Sequence, residues 1–263
     1  MDLEKLCRQA LPIILKTGEF IHSEMPKVTR EDIITKSLNS LVSYVDRTAE
    51  EQLVEGLGKL LPQATFLTEE ETITTQHSDL QWIIDPLDGT TNFLHQLPVF
   101  SVSVALQHQN KTVLGFVYEV NRDECFYAWN GGGAFCNKKP IRVSPNSQLS
   151  DSLIATGFPY HDYGKMQAYL QVLAEFMRRT RGIRRFGSAA VDLAYVACGR
   201  FDGFFEYSLN AWDVAAGAFI VQEAGGLVTD FSGGTDYLFG GEIIASSPGI
   251  QAAFAELVAP LEK

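Results

Sequence analysis

Trp82-Ile83-Ile84-Asp85-Pro86-Leu87-Asp88-Gly89-Thr90-Thr91-Asn92-Phe93 is an apolar run that ends in two carboxylates and a glycine–threonine turn. Trp82 to Ile84 reads as a buried strand that delivers Asp85 and Asp88 to a tight turn, where Pro86 restricts the backbone. Two acids at a buried strand end repel each other and lose solvation, so their ionised forms are disfavoured without a cation nearby. Such a pair can share hard divalent cations, and the amides after Gly89 can hold an anion. One short segment therefore offers both halves of a metal-dependent phosphate site.

Outward from this stretch the pattern divides in two. Leu3, Leu6, Ala10, Ile13, Ile14, Phe20 and Ile21 recur at helical spacing and predict an amphipathic helix over 3–24. A second helix is expected over 46–60, closed by Pro62, with buried strands at 64–67 and 81–84. The runs 100–107, 113–119 and 124–129, broken by Gln109-Asn110 and Asn121-Arg122-Asp123, read as an antiparallel meander. Beyond residue 150, strands at 153–156, 227–229 and 243–245 alternate with helices at 163–179, 188–198, 213–224 and 249–261. Gly225-Gly226 closes the third of those helices. The reading is an α+β half over residues 1–145 and an α/β half over 146–263, packed as one unit.

Composition narrows the function. The 263 residues are 46% hydrophobic, enough to fill a sizeable core, and carry 32 acidic against 21 basic side chains, a net charge of −11. That balance argues against a general polyanion binder, because nucleic-acid affinity leans on many Lys and Arg contacts. The one basic cluster, Arg178-Arg179-Thr180-Arg181-Gly182-Ile183-Arg184-Arg185, reads as a solvated helix end and its neighbouring strand. Cys7, Cys125, Cys136 and Cys198 form no CxxC pair, and the five histidines lack metal-ligand spacing. No signal peptide or membrane span is expected, and the cytoplasm is the default compartment. With no G-x-S-x-G elbow and no G-x-x-x-x-G-K-[ST] loop, serine-nucleophile and P-loop chemistry drop out.

Other acids stand next to glycines or strand ends: Asp46, the triplet Glu69-Glu70-Glu71, and Asp213 in Trp212-Asp213-Val214-Ala215-Ala216-Gly217. Each has a structural reading beside the functional one. The triplet can be a solvated turn, Asp213 a helix cap or dipole partner, and Asp46 an N-cap.

Glu69-Glu70, Asp85-Pro-Leu-Asp88-Gly-Thr-Thr-Asn92 and Trp212-Asp213-Val-Ala-Ala-Gly217 resemble, in order and spacing, the motifs of the inositol monophosphatase family of magnesium-dependent, lithium-sensitive phosphatases. Gly133-Ala-Phe-Cys-Asn137, Gly187-Ser-Ala-Ala190 and Glu223-Ala-Gly-Gly226 extend the resemblance over nearly the whole chain. It implies a layered αβαβα sandwich of the inositol monophosphatase and fructose-1,6-bisphosphatase type, and a homodimer.

By position, the resemblance implies that Glu69, Asp85 and the Leu87 carbonyl hold one Mg²⁺. Asp85, Asp88 and Asp213 hold a second, and a third lies near Glu69. Asp46, Glu69 and Thr90 take the catalytic roles, with Asp46 and Thr90 orienting the attacking water. The amides of Gly89 and Thr90 cradle the phosphate. Asp88, Gly187, Ser188, Ala189 and Glu206 face the substrate. Glu206 can otherwise be read as a solvated acid closing the strand at Phe204-Phe205. The chain departs from the family pattern at Ser40, where an Asp is usual, and at Thr68, where a Gly is usual; both lie near the early segment and the third-metal region, and so bear on the third metal and on Lys36.

The implied substrate is inositol monophosphate or a similar small polyol phosphate. Alternatives are fructose 1,6-bisphosphate, histidinol phosphate or a 3′-phosphoadenosine nucleotide, and, in another class, a non-catalytic regulator of the same fold. Nucleic acid and membrane are not expected as partners.

Overall fold

The computed structural model describes residues 1–32, 34–37, 40–73, 78–159 and 162–262. In chain order the first elements are α1 (Leu3–Glu24), β1 (Ile34–Ser37), β2 (Ser40–Val42), α2 (Tyr44–Leu60), β3 (Thr65–Thr68), β4 (Leu80–Asp88) and α3 (Thr90–Leu94). Then come β5 (Ser101–His108), β6 (Lys111–Glu119), β7 (Glu124–Trp129), β8 (Gly133–Cys136), β9 (Lys139–Ile141) and β10 (Leu153–Thr156). The remainder is α4 (Met166–Arg179), β11 (Gly182–Arg184), α5 (Ala189–Ala197), β12 (Gly203–Tyr207), α6 (Ala211–Glu223), β13 (Leu227–Thr229), β14 (Glu242–Ser246) and α7 (Gln251–Val258).

Strands 3 to 9 form a sheet in sequence order, parallel only between β3 and β4. A second sheet runs β11-β10-β12-β14-β13, with β10 parallel to both neighbours and β14 antiparallel to both of its own. Side chains alternate across each sheet, so each has two faces to bury. Trp82, Ile84, Val102, Val104, Phe116 and Tyr118 pack beneath α1 and α2, whereas Ile83, Ala105 and Val117 face α5 and α6. In the second sheet Phe204, Ile243 and Ala245 face the same two helices, and Phe205, Tyr207 and Ile244 face α4 and α7. Three apolar cores thus separate five layers in the order αβαβα.

α6 lies in the middle layer and is buried on nearly every face from Val214 to Val221. Small residues let it sit against the first sheet: a Cβ at Gly115 would stand 2.9 Å from the Ala216 carbonyl oxygen.

Several elements differ from the sequence reading. The tight turn expected after Ile84 is a continuation of β4, which runs to Asp88. The short strands β8 and β9 extend the first sheet, β11 edges the second, and β1 pairs antiparallel with β2. Asp46 is not an N-cap. Ser43 caps α2, and Asp46 sits at the third helical position, where it accepts the Ser43 amide in a capping box. Asn39 lies outside the described residues, as do the side chains of Lys36 and Ser40. No helix among the described residues is long and apolar enough to cross a membrane.

Candidate active site

The β4–β5 register explains how two acids three apart come to share a side. Asp85 pairs with Ser103 and Asp88 with Ser101, so two steps along β5 face three steps along β4. A regular strand would point Asp85 and Asp88 to opposite faces. The bulge at Pro86-Leu87 inserts the extra residue that re-aims Asp88. The Leu87 amide then donates to Asp85 Oδ1 at 2.9 Å, and its carbonyl accepts from Thr90 Oγ1 at 3.0 Å.

Gly89 turns the chain into α3 with φ of 96°, and Gly187 turns it into α5 with φ of 82°. The two turns touch: a Cβ on Gly89 would lie 3.3 Å from the Gly187 carbonyl oxygen. Both positions need glycine for its left-handed backbone and for that close approach. Asn92 ties them together by donating to the Val99 and Phe186 carbonyls at 2.8 and 2.7 Å.

These turns border a cavity of about 180 Å³. Glu69, Asp85, Leu87, Asp88, Gly89, Thr90, Gly187, Ser188, Ala189, Glu206 and Asp213 all line it, although they come from five separate stretches of chain. Asp46 does not. It reaches the cavity through Thr90, whose hydroxyl donates to Asp46 Oδ1 at 3.0 Å, while Ser43 occupies Oδ2 with both its amide and its hydroxyl.

Each acid has a local anchor. Asp213 lines the cavity and also caps α6, accepting the Asn210 amide at 2.6 Å, so the structural and cavity-facing readings hold together. Asp88 Oδ2 accepts the Ser188 hydroxyl at 2.6 Å and the Ala190 amide at 2.7 Å. The Ser188 hydroxyl, which the sequence reading placed on the substrate wall, is thus committed to Asp88. Glu69 is the member of its triplet that lines the cavity. The turn around it is held by Glu50, a fully buried acid on α2 that accepts the amides of Glu70 and Thr72, each at 2.8 Å. Sequence reasoning passed over Glu50; its only signal was an acid on the helix face that carries Ala49, Leu53 and Leu57.

Burial and mutual repulsion act on these carboxylates as the strand-end argument expects. Loss of solvent, then the charges of Glu69, Asp88 and Asp213, hold Asp85 well above the usual carboxylate range. Burial pushes Asp88 up to about 6, despite the donors from Ser188 and Ala190. Asp213 is raised by burial and by Asp88. Glu206 is raised by burial, then by Asp213 and Asp88. Asp46 is raised by burial against the pull of its Ser43 and Thr90 hydrogen bonds. The pocket favours a positive guest.

Arg185 and Phe158 are among the residues lining the cavity that lay outside the site expected from sequence. Arg185 belongs to the basic run read as solvated, and its guanidinium lies 5.4 Å from the ring centre of Phe158 at the cavity wall. Among the described residues no histidine or cysteine lines the cavity. Among the described residues no three His, Cys, Asp or Glu side chains already form a closed metal-binding cluster. The acids share a cavity and its field rather than a single point.

The model of the inositol monophosphatase family matches residues 2–262. An inositol-1-monophosphatase from Mesorhizobium japonicum is 42% identical over 245 residues, which cover 93% of this chain and 92% of that protein. The protein named Nus factor SuhB of Escherichia coli K12 is 41% identical over 239 residues, 90% of each chain. The crystal structure of the extragenic suppressor protein SuhB from Bartonella henselae superimposes with a TM-score of 0.90 at 42% identity, covering 94% of this chain and 96% of that one. Its sequence, its five-layered fold and these relatives together place the chain in the inositol monophosphatase family.

Proposed function

We propose that this protein is a Mg²⁺-dependent phosphomonoesterase acting on inositol monophosphate or a similar small polyol phosphate. One observation carries the reading: Asp85, Asp88, Asp213 and Glu69 line one cavity, and each of the three aspartates is held above the usual carboxylate range there. A fold gains no stability from buried acids that repel one another, so their convergence points to a cationic guest.

The donor set fits magnesium. Among the described residues it is all oxygen, with no imidazole or thiolate at the cavity. Mg²⁺ keeps several waters and is held by a few carboxylates together with substrate phosphate, so it needs no closed cage of side chains. In this reading Glu69, Asp85 and the Leu87 carbonyl hold one ion, and Asp85, Asp88 and Asp213 another. When bound, such ions neutralise phosphoryl oxygens and lower the pKa of a coordinated water.

The chain's own groups supply the rest. With its proton shared between Asp46 and the Leu87 carbonyl, Thr90 Oγ1 has lone pairs left to accept from a water in the cavity. The pair can thereby orient that water and draw on its proton, Asp46 acting through Thr90. The turn at Gly89-Thr90 brings backbone amides against the same cavity, where a phosphate oxygen can be received. Glu206 offers a carboxylate to hydroxyls of the departing alcohol, which suits a polyol. Hydrolysis then needs no protein nucleophile.

The name of the Escherichia coli relative supplies a second reading, in which the same fold serves as a Nus factor. The carboxylate set favours the enzyme. The test is phosphate release, with and without Mg²⁺, from inositol 1-phosphate, fructose 1,6-bisphosphate, histidinol phosphate and a 3′-phosphoadenosine nucleotide. Metal-dependent release with the highest kcat/KM for inositol 1-phosphate is expected. No release from any ester would overturn the enzyme reading, and a preference for another ester would overturn the substrate.

A further inference from the structure

The Glu206 carboxylate packs against backbone at Gly157. The place where a Cβ of Gly157 would stand falls inside van der Waals contact of both Glu206 carboxylate oxygens, so the carboxylate lies directly against the Gly157 peptide. What holds that peptide comes from the outer helical layer. The Tyr169 hydroxyl on α4 donates to the Gly157 carbonyl at 2.7 Å. Thr156, the last residue of β10, donates to the Phe205 carbonyl at 2.8 Å, and that carbonyl belongs to the peptide leading into Glu206. The two hydroxyl oxygens are 2.8 Å apart.

Proton counting limits what this small network can do. Each hydroxyl has a single hydrogen. With Tyr169 giving its own to Gly157 at 2.7 Å, Thr156 shares its hydrogen among the Phe205 carbonyl at 2.8 Å, the Tyr169 oxygen and the more distant Gly157 carbonyl at 3.4 Å. Thr156 is wholly buried and Tyr169 is 3% exposed, so no solvent can stand in for a lost donor. The Tyr169 ring also meets Phe158 edge-on at 6.0 Å, and Phe158 lines the cavity. Tyr169 on α4 and Thr156 at the end of β10, both remote from the reacting groups, thus grip the two peptides that frame one carboxylate.

We propose that Tyr169 and Thr156 are positioning residues for Glu206, fixing the Gly157 and Phe205 carbonyls so that the carboxylate meets the alcohol part of the ester. The proposal rests on the phosphatase reading, with Glu206 on the alcohol side of the cavity. Neither hydroxyl touches substrate.

The test compares the ratio of kcat/KM for inositol 1-phosphate over p-nitrophenyl phosphate in wild type, Tyr169→Phe, Gly157→Ala and Glu206→Gln. A donor lost from a buried carbonyl should lower the ratio about tenfold in Tyr169→Phe, and Gly157→Ala should lower it at least as far. In the Glu206→Gln background neither change should alter the ratio further, which separates positioning from general damage to the fold. An unchanged ratio in Tyr169→Phe, or an equal drop with Glu206→Gln already present, overturns the proposal. Carbon-13 NMR of the Glu206 carboxyl, identified by its loss in Glu206→Gln, supplies a readout free of turnover. Its resonance should move in Tyr169→Phe; an unmoved one overturns the proposal. An inactive wild type would strike the phosphatase reading alone.

Discussion

Thr90 Oγ1 and Asp46 Oδ1 stand 3.0 Å apart although 44 residues separate them in the chain. The contact joins the start of α3 to the start of α2 and turns a buried acid toward a cavity it does not line. Thr90→Val keeps the shape and removes the hydroxyl. It should lower kcat by about 10²- to 10³-fold, in the range of a lost proton-transfer or oriented-donor contribution. KM should change less. Steady-state kinetics check this, and a near-wild-type kcat would mean that the attacking water is oriented elsewhere.

Asp85→Asn should separate activity from stability. One charge leaves a crowded set, while the amide oxygen can still accept the Leu87 amide at the bulge. Mg²⁺-dependent phosphate release should fall below detection. The thermal midpoint in EDTA near pH 8 should rise, because repulsion with Asp88, Asp213 and Glu69 is relieved. A lower midpoint together with retained turnover would contradict the ligand role.

Stability should depend on pH in the direction the raised carboxylates dictate. An acid whose folded value lies above its unfolded value favours the folded state while protonated. That contribution is complete below the unfolded value and is lost as pH rises through the folded one. For Asp88 the window runs from 3.8 to about 6, a loss of about 3 kcal/mol. Asp85 and Asp213, raised well above their ordinary value, extend the decline upward. Thermal scans in EDTA should therefore show a midpoint that falls as pH rises from 3.8 through about 6 and continues to fall above it. The stabilisation given by added Mg²⁺ should grow over the same interval, and a midpoint independent of pH in EDTA would contradict the burial argument.

Glu50→Ala removes the acceptor for two amides and the Thr72 hydroxyl at the turn after β3. Orphaned donors of this kind cost about 1–3 kcal/mol where they are buried. Urea unfolding should show a loss of that order. The Mg²⁺ concentration giving half-maximal activity should rise as well, because Glu69 begins the turn that Glu50 holds. Glu50→Gln should recover part of both.

The acids around Asp85 were legible because the motif that carries them is local: an apolar strand cannot end in two carboxylates without some partner for their charge. The helices α1, α4 and α6 and the meander from β5 to β7 were legible through periodicity. What stayed hidden depends on reach. Asp85-Pro-Leu-Asp88 reads as a turn, and only pairing with Ser103 and Ser101 makes it a bulged strand. β9 and β11, of three residues each, owe their extended form to a neighbour rather than to their own composition. Ser188 gave no hint that its hydroxyl would bind Asp88, nor Glu50 that it would hold a turn 20 residues away. Side-chain hydrogen bonds between distant segments leave no period to read.

α6 begins at the cavity and runs between the two sheets, with Ala216 against Gly115 on one side and Gly217 against Leu193 on another. Its first turn carries Asp213, so that carboxylate inherits its place from the deepest packing in the molecule. A methyl group added at Gly115, far from any ligand, should push the helix away from its sheet and carry the acid with it. Variation that reshapes the middle layer is therefore constrained twice, once by folding and once by the geometry at the helix start.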